Sequence, residues 1–185
     1  MIIYIHGFSS SGQGIKALQT KKYFGEDRVM TPSLSYIPAL AMETLEQMVV
    51  ALKKHETVSL IGSSLGGYFA IYLAEKYDLK AVLINPSIRP YETLKKVDLY
   101  PPSYYDGSTF EWKEMHIQTL KKFEVDEVKH QSNFMQLLQT GDEVLDFQKA
   151  LDKLPQAENI VEEGGSHGFD DFLTKLPLIE AFLAR

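Results

Sequence analysis

Apolar residues recur along this chain in two rhythms that alternate from one end to the other. The first rhythm is a short unbroken run, as in Ile2-Ile3-Tyr4-Ile5, which His6-Gly7 brings to a stop. Such runs mark strands buried on both faces. Residues 57–61, 80–84, 134–139 and 159–161 repeat the pattern, and a brief strand is expected over 28–31, halted by Pro32. The second rhythm has helical spacing. Over residues 38–54, Leu40, Leu45, Met48, Val49 and Leu52 recur at intervals expected to form the apolar face of a helix. Helices are also expected near 15–24, 65–76, 144–154 and 176–184.

Six strands separated by helices predict the α/β class, with a mostly parallel sheet and helices on both faces. The 185 residues suit one domain, 1–185. One stretch breaks the rhythm. Between Pro86 and Asn133 come Pro90, Pro101, Pro102, several tyrosines, Trp112 and a charged, helix-like segment near 113–129. Two readings stand: an ordinary packed insertion, or a cap over the carboxyl ends of the strands at about 87–133.

Composition narrows the chemistry. The formal net charge is −6, and no Lys/Arg-rich run offsets it, which argues against nucleic acid as a main partner. No segment approaches the length of apolar sequence that spans a bilayer. No secretory leader is visible at the start, so the expected location is the cytoplasm. With no cysteine, disulfides, thiolate nucleophiles and cysteine-based metal sites drop out.

The sequence offers a hydroxyl nucleophile. Gly62-Ser63-Ser64-Leu65-Gly66 has the form G-x-S-x-G, between a predicted strand and a predicted helix. That setting forms a nucleophile elbow, a strained turn that projects one serine hydroxyl clear of the sheet. The frame selects Ser64, because the residue two before Ser63 is Ile61. A serine needs a base to take its proton, and on such elbows the chain order runs serine, acid, histidine. There are five histidines. His55 and His116 lie in polar helical segments and His130 precedes a strand, so all three are expected at the surface. His167 follows the last strand in Glu163-Gly164-Gly165-Ser166-His167-Gly168, a glycine-rich loop able to reach the elbow.

The acid is expected after the preceding strand, where Gln139-Thr140-Gly141-Asp142-Glu143 offers Asp142. Its task is to accept the imidazole Nδ1–H and hold the tautomer. Glu143 and Asp146 are its rivals. Asp170 and Asp171 follow the histidine and read as charges at a helix N-terminus. Two backbone N–H donors are expected for the oxyanion: Leu65, directly after the nucleophile, and Phe8, in the loop after the first strand. His6 is expected to brace that loop. No metal-ligand spacing stands out, and the chemistry requires no cofactor.

These residues carry a resemblance. Tyr4-Ile5-His6-Gly7-Phe8, Gly62 to Tyr68, Asn85-Pro86-Ser87-Ile88-Arg89-Pro90, Gln139 to Asp146 and Glu163 to His167 together resemble the YqiA-like family of small bacterial esterases, within the α/β-hydrolases. The resemblance runs from end to end. It implies hydrolysis of carboxylic esters, and of acyl thioesters such as acyl-CoA, on a small-molecule substrate, with Ser64, Asp142 and His167 as triad. It also implies a minimal α/β-hydrolase fold that lacks the first two strands of the larger sheet. The strand order would then be 2-1-3-4-5-6, with the elbow at the crevice where the order reverses. A peptidase or amidase with the same triad, and a binding protein without turnover, are the alternatives. Tyr100, Tyr104, Tyr105, Phe110 and Trp112 are the expected lining of an acyl pocket.

Overall fold

The computed structural model describes residues 1–185, and its centre is a single parallel sheet of six strands. The strands are β1 (Ile2–Ile5), β2 (Val29–Met30), β3 (Ser59–Ser63), β4 (Lys80–Ile84), β5 (Phe134–Gln139) and β6 (Glu158–Glu162). Their spatial order is β2-β1-β3-β4-β5-β6. All pairs are parallel, with Ile5 opposite Gly62 on β3 and Ser63 opposite Ile84 on β4. The expected order and its reversal beside β1 are both present.

Alternation along each strand divides the apolar residues between two cores. Ile3, Ile5, Leu60, Ala81, Leu83 and Phe134 face one side, against α2 (Pro38–Leu52) and α3 (Leu65–Tyr77). Ile2, Tyr4, Ile61, Val82, Ile84, Met135 and Leu137 face the other, against α1 (Ile15–Phe24) and the C-terminal α7 (Leu176–Leu183). Burial on both sides is why β1 reads as an unbroken apolar run rather than an alternating one.

Four expectations shift. The buried face of α2 is Pro38, Ala41, Met42, Leu45 and Val49, a helical stripe that leaves Leu40 off its face and exposed. The short α6 (Phe147–Lys153) begins three residues later than expected. The Asp142 carboxylate binds the Val144 and Leu145 N–H groups in a turn, and Asp146 then caps the helix by accepting from Gln148. The charged segment near 113–129 is helical only over α5 (Glu114–Leu120) and a 3₁₀ turn, Lys121–Phe123. Within α5, His116 is buried rather than at the surface. With Ile117 and Leu120 it forms the inward face, its Nδ1 accepts the Lys113 N–H, and its ring meets Trp112 and Tyr36. Burial lowers its pKa, keeping the ring neutral.

The insertion is part of the first core. Besides α5 it contains α4 (Pro90–Thr93) and a 3₁₀ turn, Leu94–Lys96. Trp112, Ile117, Leu120 and Val128 pack among the α2 and α3 side chains. No helix is long and apolar enough to cross a membrane.

Candidate active site

The carboxyl ends of the strands bring the predicted residues together. Ser64 joins β3 to α3 with φ 54° and ψ −117°, a conformation rare for any residue with a Cβ. Two glycines make that turn possible. A Cβ on Gly62 would stand 2.3 Å from the Gly66 carbonyl oxygen, and one on Gly66 would stand 2.0 Å from that of Ile5. Helix, turn and β1 are therefore packed backbone to backbone.

Ser64 Oγ lies 3.1 Å from His167 Nε2. On the other side of the ring, Nδ1 is 2.8 Å from Asp142 Oδ2 and 3.0 Å from Oδ1. A carboxylate can only accept here, so Nδ1 carries the proton and Nε2 turns a lone pair to the serine hydroxyl. The Asp142 side chain is 2% exposed and that of His167 24%, which leaves the imidazole edge open to a substrate. Burial pushes the Asp142 carboxyl up, but bonds from His167, Leu145 and Val144 outweigh it and hold the group below the ordinary carboxylate range. The rivals take other tasks. Glu143 accepts the backbone N–H of His167 at 3.0 Å, and Asp146 caps α6.

The loop bearing His167 is held from several directions. Gln139 Oε1 accepts the N–H groups of Ser166 and Asp170. Asn85 Nδ2 donates to the carbonyls of Ser166 and His167, and Lys16 Nζ donates to that of Gly168. The sequence reading assigned none of these contacts. The signals were an asparagine and a glutamine at the carboxyl ends of β4 and β5, where polar side chains in otherwise apolar runs need buried partners.

Phe8 and Leu65, the expected oxyanion donors, border the same cavity as Ser64 and His167. Neither amide donates to a protein acceptor. Gly7 lies against the serine, where a Cβ would be 3.2 Å from that of Ser64. His6 braces the loop, as expected: Nε2 accepts the Leu34 N–H at 2.9 Å, and Nδ1–H donates to the Gly7 carbonyl at 2.8 Å. Burial lowers its pKa, so the ring stays neutral and keeps both bonds.

The cavity measures about 910 Å³. Pro90, Leu94 and Val97 of the insertion, with Val144 and Leu145, give it an apolar side; Ser10, Ser11, Lys16 and Gln19 add polar groups. A smaller cavity of about 350 Å³ shares His6, Gly7, Phe8, Ser10 and Leu65 with it. The expected aromatic lining is mostly elsewhere. Tyr104 borders the large cavity and Phe110 the small one, whereas Tyr100 and Tyr105 are exposed and border neither. Trp112 is buried behind Phe8, its ring edge-on at 4.8 Å and its Nε1 donating to the Leu94 carbonyl. Indole needs a partner for its N–H, and in the core the Leu94 carbonyl supplies one. No three His, Asp or Glu side chains converge as metal ligands.

Sheet order, elbow and crevice define an α/β-hydrolase fold. Solved structures of that shape include a hydrolase from Agrobacterium vitis, described as putative, with a TM-score of 0.73 at 17% identity, covering 98% of this chain and 87% of that one. Mouse alpha/beta hydrolase domain-containing protein 10 gives 0.72 at 17%, covering 99% and 89%. Est1E from Butyrivibrio proteoclasticus, with ferulic acid bound, gives 0.69 at 13%, covering 99% and 86%. The particular family is narrower: the chain belongs to UPF0227, described as an uncharacterised protein family, whose pattern matches residues 1–184. Relatives named UPF0227 protein YcfP from Escherichia coli O9:H4 and Salmonella enteritidis are 30% identical over 189 residues, covering 98% of both chains.

Proposed function

We propose that this protein is a serine hydrolase of carboxylic esters, with acyl thioesters as a further substrate class. The observation that carries the reading is the continuous chain from Ser64 Oγ through the His167 ring to the Asp142 carboxylate. Esterases from Rhodothermus marinus and Pyrococcus furiosus share the fold, which supports the reaction class without specifying a substrate.

In this mechanism, His167 Nε2 takes the hydroxyl proton as Ser64 Oγ bonds to the acyl carbon. The carbonyl π electrons move onto oxygen, which the Phe8 and Leu65 N–H groups receive. Asp142 holds the imidazolium as it forms. When the carbonyl reforms, the bond to the leaving oxygen or sulfur breaks, and Nε2–H protonates the departing alcohol or thiol. Water, deprotonated by the same ring, attacks the acyl-enzyme and releases the acid and free Ser64. The acyl group lies along the apolar side at Leu94, Val97 and Leu145. In the same proposal, residues 87–133 act as a cap within one catalytic domain.

The test combines a fluorophosphonate probe with a screen of p-nitrophenyl esters, p-nitroanilides and acyl-CoA thioesters of graded chain length. Labelling at Ser64, with turnover of esters above anilides, is expected. Turnover of anilides above matched esters would favour an amidase. An unlabelled Ser64 and no turnover of any class would leave a binding protein and overturn the proposal.

A further inference from the structure

Ser64, Asp142 and His167 come from three separate loops, and one residue outside the triad lies where those loops meet. Asn85 directly follows β4 and is buried. Its Nδ2 donates to the Ser166 carbonyl at 2.9 Å and to that of His167 at 3.3 Å. Its Oδ1 accepts the N–H of Gln139 at 3.0 Å, at the end of β5 and three residues before Asp142. Its own N–H donates to Leu137, on the same strand, at 2.9 Å. The nucleophile is reached through Asn85's chain neighbours. The Ile84 carbonyl accepts the Ser64 N–H, and the Ser87 N–H donates to the Ser64 carbonyl, each at 3.0 Å.

The side chain and the backbone at this position make different demands. Asn85 has φ 39°, a region that glycine occupies freely and asparagine tolerates better than most residues. Glycine would therefore ease the backbone but leave the two carbonyls and the Gln139 N–H without their partner. A primary amide has two N–H bonds and a carbonyl on one planar group, so it serves all three at once. An ionised carboxylate could accept from Gln139 but could donate nothing to the base loop.

We propose that Asn85 is a positioning residue, whose amide sets the His167 loop against the end of β5 and the elbow so that the imidazole spans Asp142 and Ser64. The inference rests on the triad reading above. Asn85 touches none of the reacting atoms and acts through the peptides of Ser166 and His167.

Two variants test it: Asn85→Gly, which suits the backbone and removes the amide, and Asn85→Asp, which keeps size and acceptor but loses the donor. Thermal unfolding first establishes that each is folded. The expected result for both is a fall in kcat of about 100-fold, the scale at which a small misplacement of reacting groups is felt, with KM little changed. The rate of fluorophosphonate labelling should fall in parallel. A second readout needs no turnover. The His167 Nδ1 proton, bonded to Asp142, is expected as a far-downfield NMR resonance that broadens or moves upfield in the variants. Parental kcat and an unmoved resonance in either folded variant would overturn the inference. Failure of the hydrolase reading would look different: the parent protein itself would show no Ser64-dependent turnover, while the resonance would still report whether Asn85 holds the ring.

Discussion

The loops bearing the proposed triad and the 87–133 insertion border the same cavity and are held by different forces. The loops rest on directional bonds: Asn85, Gln139 and Glu143 grip the peptides around His167, and backbone amides fix Asp142. Gly62, Gly66 and Gly141 stand where a Cβ would strike backbone. The insertion rests on apolar packing, with Trp112, Ile117, Leu120 and Val128 sunk among the α2 and α3 side chains. Of its ion pairs, Arg89–Glu92, Arg89–Glu124 and Lys149–Glu92 are long, at 3.5, 3.6 and 3.7 Å, and the shorter Lys113–Glu111 pair joins near neighbours at the surface, a kind that adds little. Hydrogen bonds hold atoms to the tolerance that proton transfer demands, whereas packing shapes a volume and yields more readily. Substitutions in the loops should therefore change rate, and those in the insertion should change stability or substrate size.

The largest effects fall at the loops. Ser64→Ala should cost kcat on the order of 10⁶, by comparison with deletions in other serine triads, with thermal stability near the parental value, since alanine keeps the Cβ and with it the strain of the turn. Asp142→Asn should cost on the order of 10⁴, because its amide no longer holds the proper imidazole tautomer. Asp146→Asn should leave activity at the parental level, since asparagine caps a helix as well as aspartate does. Steady-state kinetics on one ester measures all three. Equal losses at residues 142 and 146 would erase the distinction between a triad acid and a helix cap.

The same contrast explains what the chain reveals before it folds. That Ser64, Asp142 and His167 meet was legible because each follows a recognisable strand, close to glycines, in a fixed order. β3, β4 and β5 announce themselves as apolar runs, and the parallel order follows from the helices between them. The side chains that hold the loops were not legible. A polar side chain at Asn85 or Gln139 signals that a buried partner is needed, but nothing local says which distant residue supplies it. The aromatic residues of the insertion were misplaced for a related reason. They signal burial, but whether an aromatic faces a cavity or a core depends on neighbours distant in sequence. Trp112 turned inward because the Leu94 carbonyl offered its N–H a partner. His116 was misread likewise, since a charged helix with a single buried face shows only a weak pattern over two turns.

Trp112→Ala tests the packed region. Removing a buried indole should destabilise the fold by roughly 3–5 kcal/mol, measured by denaturant titration. It also withdraws the support behind the Phe8 ring, so kcat should drop by a similar factor for every acyl length. The shape of the chain-length profile should stay as in the parent. A profile that flattened would return Trp112 to the pocket.

Leu94→Ala carries the smallest effect and the sharpest test of the division. The Leu94 side chain borders the cavity and is only partly buried, while its carbonyl, which holds the Trp112 N–H, survives the substitution. Stability should fall less than for Trp112→Ala, since less surface leaves the core. The catalytic loops should not move, so kcat on a short ester such as the acetate should stay near the parental value. What changes is the space beside the acyl chain. Each methylene that loses its apolar contact forfeits up to about 0.8 kcal/mol, so KM for longer esters should rise by a few-fold while the shortest are unaffected. If the alanine frees room at the end of the pocket instead, the preferred length should grow by a carbon or two. Either response places the acyl chain against the insertion. An equal loss of kcat at every length, with no change in relative KM, would mean that Leu94 supports the catalytic loops, and that the two regions are not mechanically separate.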